Sequence, residues 1–419
     1  MQDSNPTFGR NDRNAIRVAL GSVPKDGGTF TFYRNMRAPL LENGVDLSCV
    51  TVGSREASLI EPEFADEGCV LIAPDSGRIQ DQAVAFAEWC ARESVDIVIG
   101  LNSVAILSAI PHLPANVRVV ARCANGFEHG YAITLAGRER LYGVVALTPK
   151  LRDDLIFEFG VDADTVDLIP NGTSPTRFAD AADRPRGLGD KLEIGYLGRL
   201  EHMQKGVLHI PKIVRHLTRS GVPFRLRIAG KGKHESQLRS YLSEESAEGI
   251  VSFEGALGPD EIAGFLGGLD VFLFTSHFEG CPNALIEAMM SGCVPVASRI
   301  CGTTDFLIED GRTGFVCDVE NHAEFADRIA RLHRDRPLLS HMSTSAATFA
   351  RAALDNRITA QAYCDLFEAV MRAPPLSVQP KPWSEFRVFE PFDPSYAQRL
   401  RDKVKRTWRD IRIKRDMSA

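Results

Sequence analysis

The chain has 419 residues, of which 44% are hydrophobic and 25% charged, and its formal net charge is −6. This length predicts two ordinary domains, and the average composition provides enough apolar residues for a core in each. The acidic balance gives no general attraction to nucleic acid, so no nucleic-acid partner is expected. The nine cysteines are scattered, with no Cys-x-x-Cys. This pattern argues against a disulfide framework and a zinc site, and favours a reducing compartment.

The N-terminal segment 1–14 is polar and lacks the apolar stretch of a secretory signal. No apolar run approaches the roughly eighteen residues that a membrane span needs. We therefore predict a flexible tail at 1–14 and a cytoplasmic protein.

Short apolar runs alternate with helical stretches, which predicts parallel sheets covered on both faces. In the first half the predicted strands are 16–20, 47–52, 70–73, 96–100, 117–121, 143–147 and 166–169. A helix is predicted at 29–43, with Leu40 and Leu41 on its buried face. Before it, Gly28 closes a Gly-Gly pair that either lets backbone approach a ligand or simply makes a turn.

A segment rich in Asp, Arg, Pro and Gly at 179–191 is predicted to be a linker between domains at 15–178 and 192–354. The second set of predicted strands is 192–197, 224–229, 251–253, 271–274, 294–297 and 315–317. The predicted fold class is α/β: two Rossmann-like, doubly wound parallel-sheet domains facing across a cleft, where the carboxyl ends of the strands bind ligands.

The stretch between strands 271–274 and 294–297 reads as a loop and one helix, with Pro282 suited to the first helical turn. We expect backbone N–H groups from about Gly280 to Leu285 to point into solvent, which makes an anion site at the positive helix end. Two carboxylates, Glu279 and Glu287, flank this site. A phosphate repels carboxylates, whereas hydroxyl groups donate hydrogen bonds to them. The pair therefore predicts a sugar nucleotide, with ribose hydroxyls on Glu287 and hydroxyls of the transferred sugar on Glu279. Taken singly, each Glu is more simply a surface charge.

Two cations follow strand 192–197. Arg199 and Lys205 precede a helix predicted from about 207 to 219, where the helix dipole is already positive. Their concentration there indicates an absent anion, since Arg offers a planar fork to phosphate and Lys a movable point charge. The alternative is two solvated loop charges.

The stretch from Glu279 to Glu287 closely resembles the E-x7-E signature of retaining GT-B glycosyltransferases of the glycosyl transferases group 1 family (glycosyltransferase family 4). The likeness continues through 292–296 to 309–315, and the Arg199 to Lys205 loop resembles the family's Gly-Arg-Leu … Lys-Gly element. It implies that both cations neutralise the nucleotide diphosphate in place of a metal ion, so no metal and no other cofactor is expected. It also implies retention of anomeric configuration by front-face attack, without a covalent nucleophile. The predicted donor-binding residues are Gly28, Gly230, Gly255, Gly280, Asn283, Ala284, Leu285 and Glu287. Of these, the resemblance implies Gly230 and Gly255, whose turns enclose the nucleobase in the family.

The acceptor side is less distinct. The family often places a His near the end of a strand in the first domain, and the nearest matches here are Asn125 and His129. A lone His is more often structural than catalytic. Arg122 is a further candidate, for an anionic acceptor.

The end of the chain adds three predicted segments. Residues 355–372 resemble the family's helix that crosses back to the first domain, and 373–382 is a stiff Pro-rich linker. Residues 396–415, within the terminal segment 373–419, form a basic amphipathic helix with Trp408 on its apolar stripe. This helix either binds an anionic membrane surface, as a peripheral membrane protein would, or packs on the protein itself.

The preferred hypothesis is a metal-independent hexosyltransferase that uses a nucleotide sugar and a glycan or lipid-linked acceptor to build cell-surface polysaccharide, lipopolysaccharide or glycolipid. A sugar-nucleotide 2-epimerase of the same fold and a non-catalytic sugar-nucleotide-binding module are the alternatives. The base, sugar, acceptor and linkage stay open.

Overall fold

The computed structural model describes residues 15–24, 27–53, 67–101, 103–184, 186–187 and 189–390. The chain forms two compact units. The first combines Met1–Pro170 with Thr359–Ala419, and the second is Asn171–Ile358. Each unit contains one parallel sheet, with seven strands in the first and six in the second.

The first unit is a doubly wound α/β structure. Its strands are β1 (Ile16–Gly21), β2 (Val45–Val52), β3 (Cys69–Ile72), β4 (Ile97–Gly100), β5 (Arg118–Cys123), β6 (Leu141–Ala146) and β7 (Val166–Leu168). Its helices are α1 (Gly28–Glu42), α2 (Ile79–Arg92), α3 (Val104–Ala109), α4 (Glu128–Thr134) and α5 (Pro149–Asp153). The strand order is β3-β2-β1-β4-β5-β6-β7, so the sheet changes its direction of growth between β1 and β4.

The second unit repeats this plan. Its strands are β8 (Leu192–Leu197), β9 (Phe224–Ala229), β10 (Val251–Gly255), β11 (Val271–Phe274), β12 (Val294–Ser298) and β13 (Phe315–Cys317). Its helices are α6 (Ala179–Ala182), α7 (His202–Lys205), α8 (Ile210–Arg219), α9 (Glu235–Tyr241), α10 (Ser243–Ala247), α11 (Pro259–Gly267), α12 (Asn283–Met290), α13 (Thr304–Leu307), α14 (His322–Arg334), α15 (Arg336–Ala353) and the start of α16 (Asn356–Arg372). The order β10-β9-β8-β11-β12-β13 places the change of direction between β8 and β11.

All thirteen predicted strands are present, with bounds within two residues, and the predicted doubly wound parallel sheets are confirmed. One side-chain prediction is wrong. Leu40 is buried in α1, but Leu41 is 55% exposed. Successive helical side chains point about 100° apart, so a narrow buried face accommodates only one of the two.

Residues 179–191 do not behave as a linker, because they lie within the second unit. The guanidinium of Arg186 is buried and donates to the carbonyl oxygens of Ala181, at 2.7 Å, and Gly267, at 3.1 Å. Arg184 donates to the same Gly267 oxygen at 2.9 Å. Carbonyls at the end of α11 lack helical partners, and these guanidinium groups satisfy them.

The chain from the Pro-rich segment to Phe389 is also packed rather than free. It belongs to the first unit, where the Trp383 ring stacks on His112 with 4.5 Å between ring centroids. The N–H of Lys381 donates to the Pro111 carbonyl at 2.9 Å, and the N–H of Phe389 donates to Ser108 Oγ at 2.8 Å.

Two predicted segments, the tail at 1–14 and the basic helix at 396–415, lie outside the described residues. Within the described part of the chain, every helix is too short or too polar to cross a bilayer. All nine cysteines are free thiols, and eight of them are buried.

Candidate functional site

The predicted donor residues of the second unit gather where its sheet changes direction. Strands β8 and β11 are adjacent and parallel, with Val271 paired to Ile194. The loop 198–206 follows β8 and the loop 275–282 follows β11, so both leave the carboxyl edge of the sheet side by side. In open α/β sheets, ligands bind at this edge, at the point where the strand order reverses.

An ion pair joins the two loops. Lys205 Nζ lies 2.6 Å from Glu279 Oε1, and the side chains are 19% and 7% exposed. The Ser276 hydroxyl donates to the same oxygen at 2.7 Å. The predicted cation and carboxylate, 74 residues apart in sequence, are therefore in direct contact.

Arg199 reaches the same carboxylate through one side chain. Its Nη2 donates to Gln204 Oε1 at 2.6 Å, and Gln204 Nε2 donates to Glu279 Oε2 at 3.3 Å. Arg199 is exposed, so its guanidinium can turn towards a ligand. The structure thus brings together all three charged residues that the sequence singled out around these loops.

Main-chain contacts hold the two loops in register. Thr275 Oγ1 donates to the Lys205 carbonyl at 3.0 Å, and the N–H of His277 donates to the Gln204 carbonyl at 2.8 Å. Gly206 ends α7 in the left-handed conformation, at φ +60°, and a Cβ there would lie 2.0 Å from the Thr275 carbonyl oxygen. Only glycine allows this close approach.

The predicted helix 207–219 is in fact two elements, and a one-turn helix that was not predicted precedes them. The one-turn helix α7 carries Lys205, a 3-10 turn follows at Val207–His209, and α8 begins at Ile210. Glu201 caps α7 by accepting from the N–H groups of Met203 and Gln204, both at 2.8 Å. The left-handed Gly206 breaks the helical run, which the sequence pattern did not reveal.

Glu287 lies inside α12 and is only 4% exposed. Arg177 Nη1 is 3.8 Å from its Oε1. Burial raises the pKa of the Glu287 carboxyl to about 7, and the Arg177 charge opposes this rise. Near neutral pH the carboxyl is therefore divided between its charged and uncharged forms.

The start of α12 differs in one respect from the predicted anion site. Its N-cap residue is Pro282, which has no side-chain group to cap the helix. The N–H of Leu285 donates to the Pro282 carbonyl at 3.1 Å, so it does not point into solvent. Ala284, one residue earlier, is half-buried, and Gly280 is buried in the preceding loop.

A glycine ends or directly follows each of three neighbouring strands beside this site. The N–H of Gly230, after β9, donates to the carbonyl of Gly255, in β10, at 2.6 Å. A Cβ on Gly230 would lie 1.9 Å from the carbonyl oxygen of Gly198, which follows β8. The backbones of the predicted donor residues Gly230 and Gly255 are therefore hydrogen-bonded to each other, and Gly230 also packs closely against the loop that begins at Gly198.

Substitution of Gly230 by Ala should be severe. The φ of +135° and the blocking Gly198 carbonyl together predict a loss of more than about 3 kcal/mol in unfolding free energy. Gly221→Ala is the matched control, because Gly221 also has a positive φ, +67°, but open space around it. We expect a loss of about 1 kcal/mol there. Equal losses in denaturant titrations of the two variants would contradict the close approach.

Sequence reasoning missed the residues that hold the site together. Ser276 and Gln204 fix Glu279, and Arg177 faces Glu287. Asn171 Nδ2 donates to the Cys281 carbonyl at 3.1 Å and to Asn283 Oδ1 at 2.7 Å, which ties the start of α12 to the first residue of the second unit. Polar residues next to a predicted site in sequence were the available signal for Ser276 and Gln204; nothing marked Arg177.

The acceptor-side candidates lie in the first unit. Arg122 is 2% exposed, its Nε donates to the Tyr363 hydroxyl at 3.1 Å, and its guanidinium carbon lies 3.9 Å from the centroid of the Phe32 ring. Arg122 and Asn125 line a small pocket together with Thr29. Gly28 is the first residue of α1 and is exposed.

His129 lies in the first turn of α4 and is half-buried. Its ring stacks on Phe127 with 6.1 Å between centroids. This contact orients the ring, and the predicted acceptor role of His129 stays a prediction.

Comparison with known proteins concerns the second unit, which contains the loops 198–206 and 275–282 (the charged loops). Residues 180–349 match the Glycosyl transferases group 1 family model. The matched segment contains Arg199, Lys205, Glu279 and Glu287. The predicted family resemblance is therefore supported for most of the second unit.

Curated relatives align over similar lengths. A D-inositol 3-phosphate glycosyltransferase of an Arthrobacter species is 27% identical over 234 residues, which cover 54% of this chain and 54% of that protein. The putative colanic acid biosynthesis glycosyltransferase WcaL of Salmonella typhimurium is 32% identical over 183 residues, 42% of this chain and 44% of that protein. The chain spans about half the length of the curated relatives it matches.

A solved structure is similar over a longer stretch. HepE of Anabaena, in complex with UDP and glucose, superposes with a TM-score of 0.67 at 18% sequence identity, over 84% of this chain and all of that one. This likeness shows the fold, and the predicted GT-B class is confirmed.

Proposed function

We propose that the protein is a glycosyltransferase that moves a sugar from a nucleoside-diphosphate sugar to an acceptor hydroxyl. The observation that carries this proposal is the Lys205–Glu279 contact at the point where the sheet order reverses, with Arg199 joined to it through Gln204. The match of residues 180–349 to the Glycosyl transferases group 1 family model and the relatives named as glycosyltransferases support it.

Without a donor, Lys205 is neutralised by Glu279. A bound diphosphate would draw Lys205 and Arg199 onto its oxygens, because phosphate carries more charge than one carboxylate. Glu279 would then be free to accept hydrogen bonds from the hydroxyl groups of the sugar. Ser276 and Gln204 keep its carboxylate in place during this exchange.

The other end of the donor fits the buried side of the site. Glu287 offers two carboxylate oxygens to ribose hydroxyls, with Arg177 behind them. At Gly255 nothing lies within 4 Å of the position that a Cβ would take, which leaves room there for a nucleobase. The relative HepE was solved with UDP and glucose, which makes uridine donors the first to test.

The chemistry that we propose is retaining and needs no metal ion on the phosphates. The bond from the anomeric carbon to the phosphate oxygen breaks, a bond to the acceptor oxygen forms on the same face, and the acceptor proton passes to the departing phosphate oxygen. Lys205, Arg199 and the positive end of α12 stabilise the charge that grows on this leaving group. The likeness to WcaL, which is named for colanic acid biosynthesis, favours an acceptor in polysaccharide synthesis.

The experiment is a donor panel, run both with and without EDTA. UDP-, GDP- and ADP-sugars are incubated with the protein, with and without a lipid or glycan extract, and nucleoside diphosphate release and the anomeric configuration of the product are measured. We expect acceptor-dependent release with one donor family and retained configuration. Acceptor-independent conversion to an epimer would favour the epimerase, and thermal stabilisation by a donor without release would favour a binding module.

A further inference from the structure

Half of the histidines of the chain gather beside the charged loops of the second unit. Ten histidines are present in the sequence, and five of them form the cluster His202, His209, His234, His277 and His322. His209 is at its centre. Its Nε2 lies 2.7 Å from His277 Nε2, and its Nδ1 lies 2.7 Å from His322 Nε2.

A carbonyl oxygen sets the tautomer of one ring. His277 Nδ1 is 3.0 Å from the Met203 carbonyl oxygen, which can only accept, so the proton of a neutral His277 lies on Nδ1. The Nε2 lone pair of His277 is therefore directed at His209. An imidazole whose far nitrogen donates to a backbone carbonyl is the usual form of a metal-binding histidine.

We propose that His202, His209 and His277 form a binding site for Zn²⁺ or a similar divalent transition metal. One ring nitrogen from each of the three lies within 4.8 Å of the other two. A Zn–N bond of 2.0–2.1 Å in tetrahedral geometry requires about 3.3 Å between ligand nitrogens. The His209 and His277 nitrogens need to separate by only about half an ångström to reach this spacing.

The cluster can offer a metal ion a nitrogen of the central His209 and leave one coordination position open. In the metal-bound form His209 would bind through Nε2 and carry its proton on Nδ1, facing His322. His202 and His277 are half-buried, which leaves water access to a fourth position.

Two of the three ligands lie in the loops 198–206 and 275–282, and the third, His209, lies in the 3-10 turn directly after the first loop. His202 belongs to α7 together with Lys205, His209 follows Gly206, and His277 lies two residues before Glu279. A metal ion would therefore fasten the two loops to each other. It would act on loop geometry and not on the leaving phosphate, and the proposal holds whether or not the protein transfers sugars.

Tag-free, chelator-treated protein provides the test. Zn²⁺ binding is measured by titration calorimetry, and Co²⁺ is added as a spectroscopic probe, because tetrahedral Co²⁺ absorbs visible light. We expect one ion per chain for the wild type, and affinity losses of at least about 100-fold for His202→Ala and His277→Ala. His341→Ala, an exposed histidine of the same unit, should bind as the wild type does.

The unfolding midpoint separates metal binding from a purely structural role. Zn²⁺ should raise the midpoint of the wild type and of His341→Ala, and leave those of His202→Ala and His277→Ala unchanged. If a variant does not fold, His209→Gln provides a second substitution at the centre of the cluster. Wild-type protein that binds Zn²⁺ only at millimolar concentration, or cluster variants that bind it as tightly as the wild type, would overturn the proposal.

Discussion

Replacing Lys205 by Ala should lower the rate of nucleoside diphosphate release by about 10²–10³-fold, the loss usually seen when one group that stabilises a developing negative charge is removed. The Lys205 Nζ lies 2.6 Å from Glu279 Oε1, on the loop that leads into α12, where the proposed diphosphate would lie. The steady-state rate at saturating donor measures the effect.

Two controls keep this prediction specific. Lys191→Ala removes an exposed Lys just before β8, at the opposite end of the strand, and should leave the rate unchanged. The Lys205→Ala variant also leaves Glu279 buried without its cation, which destabilises the fold. Adding Glu279→Gln should restore the unfolding midpoint but not the rate. Full activity in folded Lys205→Ala would refute the assigned role.

Replacing Glu287 by Gln should make the protein more stable above pH 7 and weaken donor binding. The folded-state pKa of Glu287 is raised to about 7 from the ordinary 4.5, so between these values the folded state binds more protons than the unfolded state. The free energy of unfolding therefore falls as the pH rises from about 4.5 to 7, by up to about 3 kcal/mol. The uncharged Gln removes this fall.

Urea titrations from pH 5 to pH 8 measure the slope for both proteins. Glu320→Gln, which changes an exposed carboxylate in the same unit, should keep the wild-type slope. Donor affinity, measured by calorimetry, should fall about tenfold or more in Glu287→Gln, because an amide offers one acceptor oxygen where the carboxylate offers two. An unchanged slope would show that Glu287 does not titrate in this range, and unchanged affinity that it does not touch the donor.

Local pattern was enough to predict the strands but not the packing around them. Buried parallel strands are short, continuous apolar runs, and each of the thirteen runs predicted as a strand is a strand in the structure. The exposure of Leu41 and the burial of Arg186 depend on which neighbours approach from elsewhere in the chain. A segment rich in Asp, Arg, Pro and Gly resembles a linker until its guanidinium groups meet the end of α11.

The same distinction holds for the candidate site, where relations between residues close in sequence were predictable and contacts between distant segments were not. Glu279 and Glu287 lie on one continuous loop and helix, so sequence spacing alone relates them. The contact of Glu279 with Lys205 depends on β8 and β11 being neighbours, which no local pattern encodes. The histidine cluster is the clearest omission. Its members come from separate elements, and the spacing of the cysteines carries no information about a metal site made of histidines.

The most direct test of the donor site is a crystal structure of the full chain with a bound nucleoside diphosphate. We predict that its phosphate oxygens lie within hydrogen-bonding distance of Lys205 Nζ and the start of α12, that Lys205 has left Glu279, and that the ribose contacts Glu287. A nucleotide bound elsewhere, or bound here with the Lys205–Glu279 pair intact, would contradict the proposed site.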